Sequence, residues 1–268
     1  MNLLGLELDL SISLDQAHLN KAEQYKKAGF TAAECCLPTY YHDPIDLGIL
    51  KPYIKTAYDA IRNSGLRIAS WHIPFGRYWD ISSPDQSIRL PAIEAHLALF
   101  QMLEPLDGTN LVVHPSFEPI PENERSEHIS ACQESLKDLS AMAKSCGKRL
   151  ALENLPRTCL GRTSQEMALL TRDGVLCDIC MDTTHLFYEA PEDFLERCGR
   201  WVINTHLSDY LIGQDECHWV PGTGSLRWLA IFERLIALSY AGTYNFEVFH
   251  AAPLEILTGL KNALNKVG

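Results

Sequence analysis

The sequence predicts an α/β protein, a single (β/α)8 TIM barrel over residues 1–268, and three observations carry that reading. Short apolar, β-branched runs alternate with amphipathic helical stretches from one end to the other, and there are eight such runs. Strand–helix alternation implies parallel strands joined by right-handed crossovers, and eight units favour closure over an open sheet. The length of 268 residues fits the about 250 that one such barrel uses. No G-x-G-x-x-G follows the first run, so a dinucleotide-binding sheet has no fingerprint here. No linker, low-complexity segment or second domain interrupts the pattern.

Taken in order, the expected strands are 3–10, 32–37, 67–72, 110–114, 149–153, 177–182, 202–206 and 244–249. The helices between them carry their own signals. Apolar residues at Leu50, Tyr53, Ile54, Ala57, Tyr58 and Ile61 form a helical stripe, with Gly65 as its stop. Ile129, Cys132, Leu136, Leu139 and Ala143 form another, stopped near Gly147. Thr163 with Glu166 fits a capping box. Pro191, Glu192 and Asp193 mark a first helical turn. Ser225 reads as the cap of a helix running to about Tyr240.

Bulk composition narrows the class. With 46% hydrophobic residues there is ample material for a large core, and the formal net charge is -11. An acidic surface repels phosphate backbones, which argues mildly against a nucleic-acid partner. The start, MNLLGLELDLSIS, holds Glu7 and Asp9 within its apolar stretch and has no basic lead, so no secretory signal is read. No apolar run is long enough to span a membrane. The nine scattered cysteines are then expected as reduced thiols of a cytoplasmic protein. The one C-x-x-C, Cys177 to Cys180, lies in a strand whose alternation sends the pair to opposite faces.

The strand ends are where this fold places its active site, and here they are ionisable. Strand three ends in His72, four in His114, five in Glu153, six in Asp182 with His185 three residues on, seven in His206, and eight carries Glu247. Inward-facing Glu153 gives Ala151 the same face, and likewise pairs Asp182 with Cys180, His206 with Asn204 and Glu247 with Asn245. The opposite parity, Leu150, Leu152, Ile179, Met181, Ile203, Phe246 and Val248, suits the face under the helices. Three carboxylates converging in a barrel mouth need a cation or protons. Carboxylates with an imidazole are a standard divalent-metal set. Each histidine alone also reads as a hydrogen-bonded strand-end residue, and Glu247 alone as a salt-bridged one; the joint pattern points to metal.

ALENLP, ICMDTTH, THLSD, HWVPGTGSL and YNFEVF resemble signature segments of the xylose-isomerase-like barrels. That superfamily holds sugar isomerases and epimerases, inosose dehydratases and endonuclease IV. The resemblance implies one divalent ion (Mn, Mg, Co or Zn) on Glu153, Asp182, His206 and Glu247. It implies a sugar, sugar-phosphate or inosose isomerase or epimerase. Glu153 and Glu247 would then be the catalytic pair, abstracting and returning a proton alpha to a carbonyl through an enediolate. Loss of a β-hydroxyl at the same site would make a dehydratase. His185 matches the family's substrate-binding histidine, with His72 and His114 beside it. Ketose 3-epimerases carry a further Glu and Arg where this chain has Cys159 and Ile212, so those substrate contacts are missing.

The endonuclease branch implies up to three zinc ions, with His72, His114, His185, Glu216 and His218 as added ligands and Glu216 standing where that branch has Asp. A trinuclear phosphodiesterase acting on damaged DNA is therefore one alternative. A catalytically silent ligand-binding barrel is another. The expected partner is a small polyol or sugar, with no nucleic acid and no membrane; a homo-oligomer is left open. Phe75, Tyr78, Trp79, Phe187, Tyr188 and Trp219 either stack on a sugar at the mouth or pack the loops. Arg157 and Arg162 either bind an anionic substrate group or form surface salt bridges. Glu7 and Glu34 are expected to support the site by hydrogen bonding.

Overall fold

A computed structural model describes residues 2–38, 47–214 and 216–265. Eight parallel strands form one sheet: β1 (Leu10–Leu14), β2 (Ala32–Cys36), β3 (Arg67–His72), β4 (Asn110–Val113), β5 (Arg149–Glu153), β6 (Asp178–Asp182), β7 (Val202–His206) and β8 (Tyr244–Phe246). They neighbour one another in chain order, and β8 returns to pair with β1. The seam between β7 and β8 closes just beyond the end of β7. There Leu207 N donates to Asn245 O at 2.8 Å and Leu207 O accepts from Glu247 N at 3.2 Å. The sheet is thus a nearly closed (β/α)8 barrel. Around it lie α1 (Ala22–Ala28), α2 (Leu47–Asn63), α3 (Gln86–Leu103), α4 (Arg125–Ser145), α5 (Ser164–Thr171), α6 (Pro191–Cys198), α7 (Trp228–Ala237) and α8 (Pro253–Asn265).

The first strand departs from expectation. Of residues 3–10 only Leu10 belongs to it: Asn2–Leu3 and Leu6–Glu7 pair as a small antiparallel hairpin, turned by Leu4 and Gly5 at φ 53 and 76. The barrel strand is LSISL, buried along its whole length. Glu7 and Asp9 are exposed, so Glu7 has no part in the site. A turn with two left-handed residues folds the first residues back on themselves, so the barrel strand starts only at Leu10.

The helix signals mostly hold. Thr163 Oγ1 accepts from Glu166 N, while the Glu166 carboxylate turns back to the amides of Gly161 and Arg162. Pro191 opens α6 with Glu192 and Asp193 in the first turn. Gly65 and Gly147 follow α2 and α4 with positive φ. Ser225 is not the cap of α7, which starts at Trp228 and ends at Ala237. Its amide bonds instead to Tyr210 O, within a loop organised by Asp209. Tyr240 lies past the helix, beyond Ser239 at φ 56.

Two register shifts shape the barrel mouth. Pairing steps from Ala33–Ile68 to Glu34–Ser70 between β2 and β3, and from Ile179–Val202 to Cys180–Asn204 between β6 and β7. Ala69 and Ile203 are the extra residues, each three positions ahead of a site histidine, His72 and His206. Such bulges re-aim the side chains that follow. They also explain Ile203, expected beneath the helices: it joins Val112, Ala151 and Cys180 in a small cluster separate from the main core. That main core lies between strands and helices and takes Leu150, Leu152, Ile179, Met181, Phe246 and Val248. All nine cysteines are free, and burial pushes the Cys180 thiol up to about 12. Among the described residues no helix is long and apolar enough to cross a membrane.

Candidate metal centre

Glu153, Asp182 and His206 are the last residues of β5, β6 and β7, and Glu247 follows β8. Each offers one ligand atom, and the four atoms lie within 4.8 Å of one another. His206 Nδ1 stands 3.1 Å from Glu153 Oε1, 3.1 Å from Glu247 Oε2 and 3.8 Å from Asp182 Oδ2. Asn154 fixes Asp182 by its main chain, accepting from Asp182 N at 2.7 Å and donating to Asp182 O at 3.0 Å. Asp182 Oδ1 takes Thr184 N and Thr184 Oγ1. Its other oxygen, Oδ2, is buried and accepts no hydrogen bond. A buried carboxylate oxygen without a donor is costly, and three carboxylates with one imidazole form a donor set that fits a divalent ion.

Two further clusters flank this one. His72 Nε2 and His114 Nε2 lie 3.1 and 3.2 Å from Glu153 Oε2, so Glu153 serves two clusters with its two oxygens. The His72 ring donates from Nδ1 to Ile73 O, which leaves the lone pair of the neutral ring on Nε2, the atom that could take an ion. Phe75 stacks on His114 with centroids 4.3 Å apart. On the other side, His185 and His218 each place Nε2 3.3 Å from Glu216 Oε1. His185 Nδ1 donates to Asn154 O at 2.9 Å. Arg157 bridges Glu216 and Glu118, which ties the loops after β4, β5 and β7 together. Buried Asp209 gathers the amides of Gly222 and Leu226 and the indole of Trp228, pinning the loop that bears Glu216 and His218.

Charge in the site is strongly coupled to burial. Burial alone would raise Glu153, but His206, His114 and His185 hold it well below the usual carboxylate range. Burial likewise opposes ionisation of Glu247, and His206 and His218 overcome it. Asp182 goes the other way, pushed up to about 6 by burial despite His185 and His218. His185 resists burial through Asp182, Glu153 and Glu216, which hold it well above its ordinary value. Burial lowers His114. Glu153, Glu247, His114, His185 and His218 line a cleft of about 370 Å³ together with Phe75, Phe249 and Arg157, a volume suited to one small molecule.

A family model described as the xylose isomerase-like TIM barrel matches residues 22–265. The chain belongs to that family. Among the relatives of this xylose isomerase-like barrel is D-psicose 3-epimerase of Ruminiclostridium cellulolyticum, 26% identical over 85% of this chain and 76% of that one. The uncharacterized protein MJ1311 of Methanocaldococcus jannaschii is 27% identical over 66% of this chain, and the match spans only 62% of that protein. Among solved structures, a D-tagatose 3-epimerase-like protein superposes with a TM-score of 0.74 at 22% identity, covering 95% and 98% of the two chains. The 3-keto-D-glucoside 4-epimerase YcjR of E. coli gives 0.71 at 19%, covering 96% and 98%. At these identities the structures share the fold.

The barrel brings together all nine ionisable residues that the sequence singled out at the mouth: His72, His114, Glu153, Asp182, His185, His206, Glu216, His218 and Glu247. Not all the loop aromatics join them. Trp79 is buried against His96 of α3, and Tyr78 lines a separate groove with Arg77 and α3. Arg162 pairs with Glu122 at the surface. Asn154, Asp209 and Glu118 carry positioning roles that the sequence reading missed. Asn154 lies beside a strand-end glutamate and Asp209 in the THLSD segment, but their partners are main-chain groups set by the fold. Phe249 was read as strand and instead lines the cleft.

Proposed function

We propose that the chain is a divalent-metal-dependent isomerase or epimerase of a sugar or related polyol. The observation that carries this is the convergence of Glu153, Asp182, His206 and Glu247, with Asp182 Oδ2 buried and lacking a donor. Those four residues would hold the ion, which when bound supplies Lewis-acid polarisation of a carbonyl. Glu153 and Glu247 both reach the cleft and are both held ionised by neighbouring histidines, as proton acceptors must be. Either carboxylate can take the proton alpha to the carbonyl; the other, once it has picked up a proton from solvent, delivers one back to the enediolate and is left ionised again. His185, locked to Asn154 O, presents Nε2 to a substrate oxygen. Phe75 and Phe249 exclude water. The likeness to D-psicose 3-epimerase supports a keto-sugar class. Cys159 and Ile212, standing where ketose 3-epimerases carry Glu and Arg, argue for a different member of that class.

The test pairs metal analysis of untagged, chelator-free protein with a screen of ketoses, inososes and sugar phosphates. About one exchangeable ion per chain and turnover abolished in both Glu153→Gln and Glu247→Gln are expected. Undiminished turnover in both variants overturns the proposal, and tight polyol binding with no turnover under any divalent metal would indicate a silent barrel.

One observation favours a second reading, a trinuclear zinc phosphodiesterase: the His72–His114–Glu153 and His185–Glu216–His218 clusters adjoin the central one. Close to three zinc ions per chain, with cleavage of an abasic oligonucleotide, would select it.

A further inference from the structure

Below the metal centre, in the middle of the barrel, sits a carboxylate that the proposed chemistry does not use. Glu34, on β2, is completely buried. Its Oε2 accepts from Ser70 Oγ at 2.7 Å and Asn204 Nδ2 at 3.0 Å. Its Oε1 accepts from Ser13 Oγ at 3.2 Å and lies 2.8 Å from His206 Nε2, a contact set off the line of the N–H. Three other strands, β1, β3 and β7, thus supply these partners of the one group. Burying a carboxylate is expensive unless it is charge-paired, and a barrel interior of apolar side chains would avoid the cost.

The geometry points to a positioning role: Glu34 holds the Nε2 edge of His206 and thereby aims Nδ1 at the metal centre. This rests on the metal reading above. His206 has two ring nitrogens and two acidic neighbourhoods. A carboxylate against Nε2 draws the ring proton there. With an ion bound, the lone pair is then left on Nδ1, which without one is in hydrogen-bond contact with Glu153 at 3.1 Å and faces Glu247 at 3.1 Å and Asp182 at 3.8 Å. A lone pair aimed at three carboxylate oxygens is repulsive unless a cation stands between them. The bulge at Ile203, three residues earlier, turns His206 into this position, and the donors around Glu34 keep the carboxylate from rotating away. Partners of this kind fix the tautomer and basicity of a ligating histidine.

The experiment is calorimetric titration of Mn(II) into metal-free wild type, Glu34→Gln, Glu34→Asp and Ser70→Ala. The Gln variant removes the charge, and the Asp variant keeps it but withdraws it from Nε2. Both should weaken Mn(II) binding by about 10–100-fold at unchanged stoichiometry. Ser70→Ala removes one of the donors that hold the Glu34 carboxylate in place but leaves its charge against Nε2, and should weaken binding less than either Glu34 variant does. Wild-type affinity in both Glu34 variants overturns the role. A measurement without variants guards against misfolding: long-range 1H–15N spectra of zinc-loaded, histidine-labelled wild type should show His206 ligating through Nδ1 with Nε2 protonated. Ligation through Nε2 overturns the inference. A wild-type chain that takes up no ion overturns the metal reading itself and this inference with it.

Discussion

At the scale of single residues, the site is a contest between burial and charge, and the side chains that win it were the readable ones. Glu153, Asp182, His206 and Glu247 announced themselves because alternation aims strand-end residues inward whatever the rest of the fold does. Asn154 did not, because its work is to clasp the backbone of Asp182, a partner 28 residues away. Asp209 is similar, and its removal has a clear expectation. Asp209→Ala strips the side-chain acceptor from three amides, of Tyr210, Gly222 and Leu226, and from the buried indole of Trp228. Urea unfolding should show a loss of about 2–4 kcal/mol. Arg157 is the opposite case. Its ion pairs with Glu118 and Glu216 are partly exposed, with the Arg157 side chain 42% accessible. Arg157→Gln should therefore cost no more than about 1 kcal/mol in the same measurement. A larger loss would mean that the bridge between loops also organises backbone far from it.

At the scale of elements, packing decides what propensity leaves open. The sequence reading placed most helices by their stripes and caps but misjudged the start of α7, because Asp209 reorganises the preceding loop. It misplaced the first strand because leucines in 3–10 look the same in a hairpin as in a barrel. Two elements carry testable energetics. The guanidinium of Arg125, at the start of α4, binds Glu166 of α5 in a fork and caps the carbonyls of Thr158 and Cys159. Arg125→Ala breaks a nearly buried pair and should cost about 3–5 kcal/mol on denaturant unfolding. In α3, His96 packs between Trp79 and Phe100, and burial lowers it to about 4. The unfolded chain binds a proton at this position near pH 6.5, the folded chain only near pH 4. Between those values the unfolded state holds more protons, so stability falls as pH drops through that window. His96→Leu should shrink the stability difference between pH 7 and pH 5 by about 2 kcal/mol. An unchanged difference would place the acid sensitivity elsewhere.

At the scale of the whole molecule, eight β/α units of near-minimal length build a barrel whose inner layer is polar. Ser13, Glu34, Ser70, Asn204 and Asn245 form a hydrogen-bonded layer beneath the candidate metal centre. The alternation of units was legible from end to end; the bulges and the seam were not, since they depend on how neighbouring strands slide past each other. If the ion binds only the folded chain, chelation should lower the melting temperature, and added Mn(II) or Zn(II) should raise it with concentration. A melting curve indifferent to chelator would weigh against the metal centre. The seam gives that linkage a direction. β7 and β8 are joined in the main chain at Leu207 and through the Thr205 hydroxyl, which accepts from Asn245 N, and His206 and Glu247 stand on opposite lips of that join. An ion gripped by both acts as a rivet through the weakest line of the cylinder. Parting of the lips and departure of the ion then become one event, and the amide protons of Leu207 and Glu247 should exchange with solvent no faster than the ion is lost.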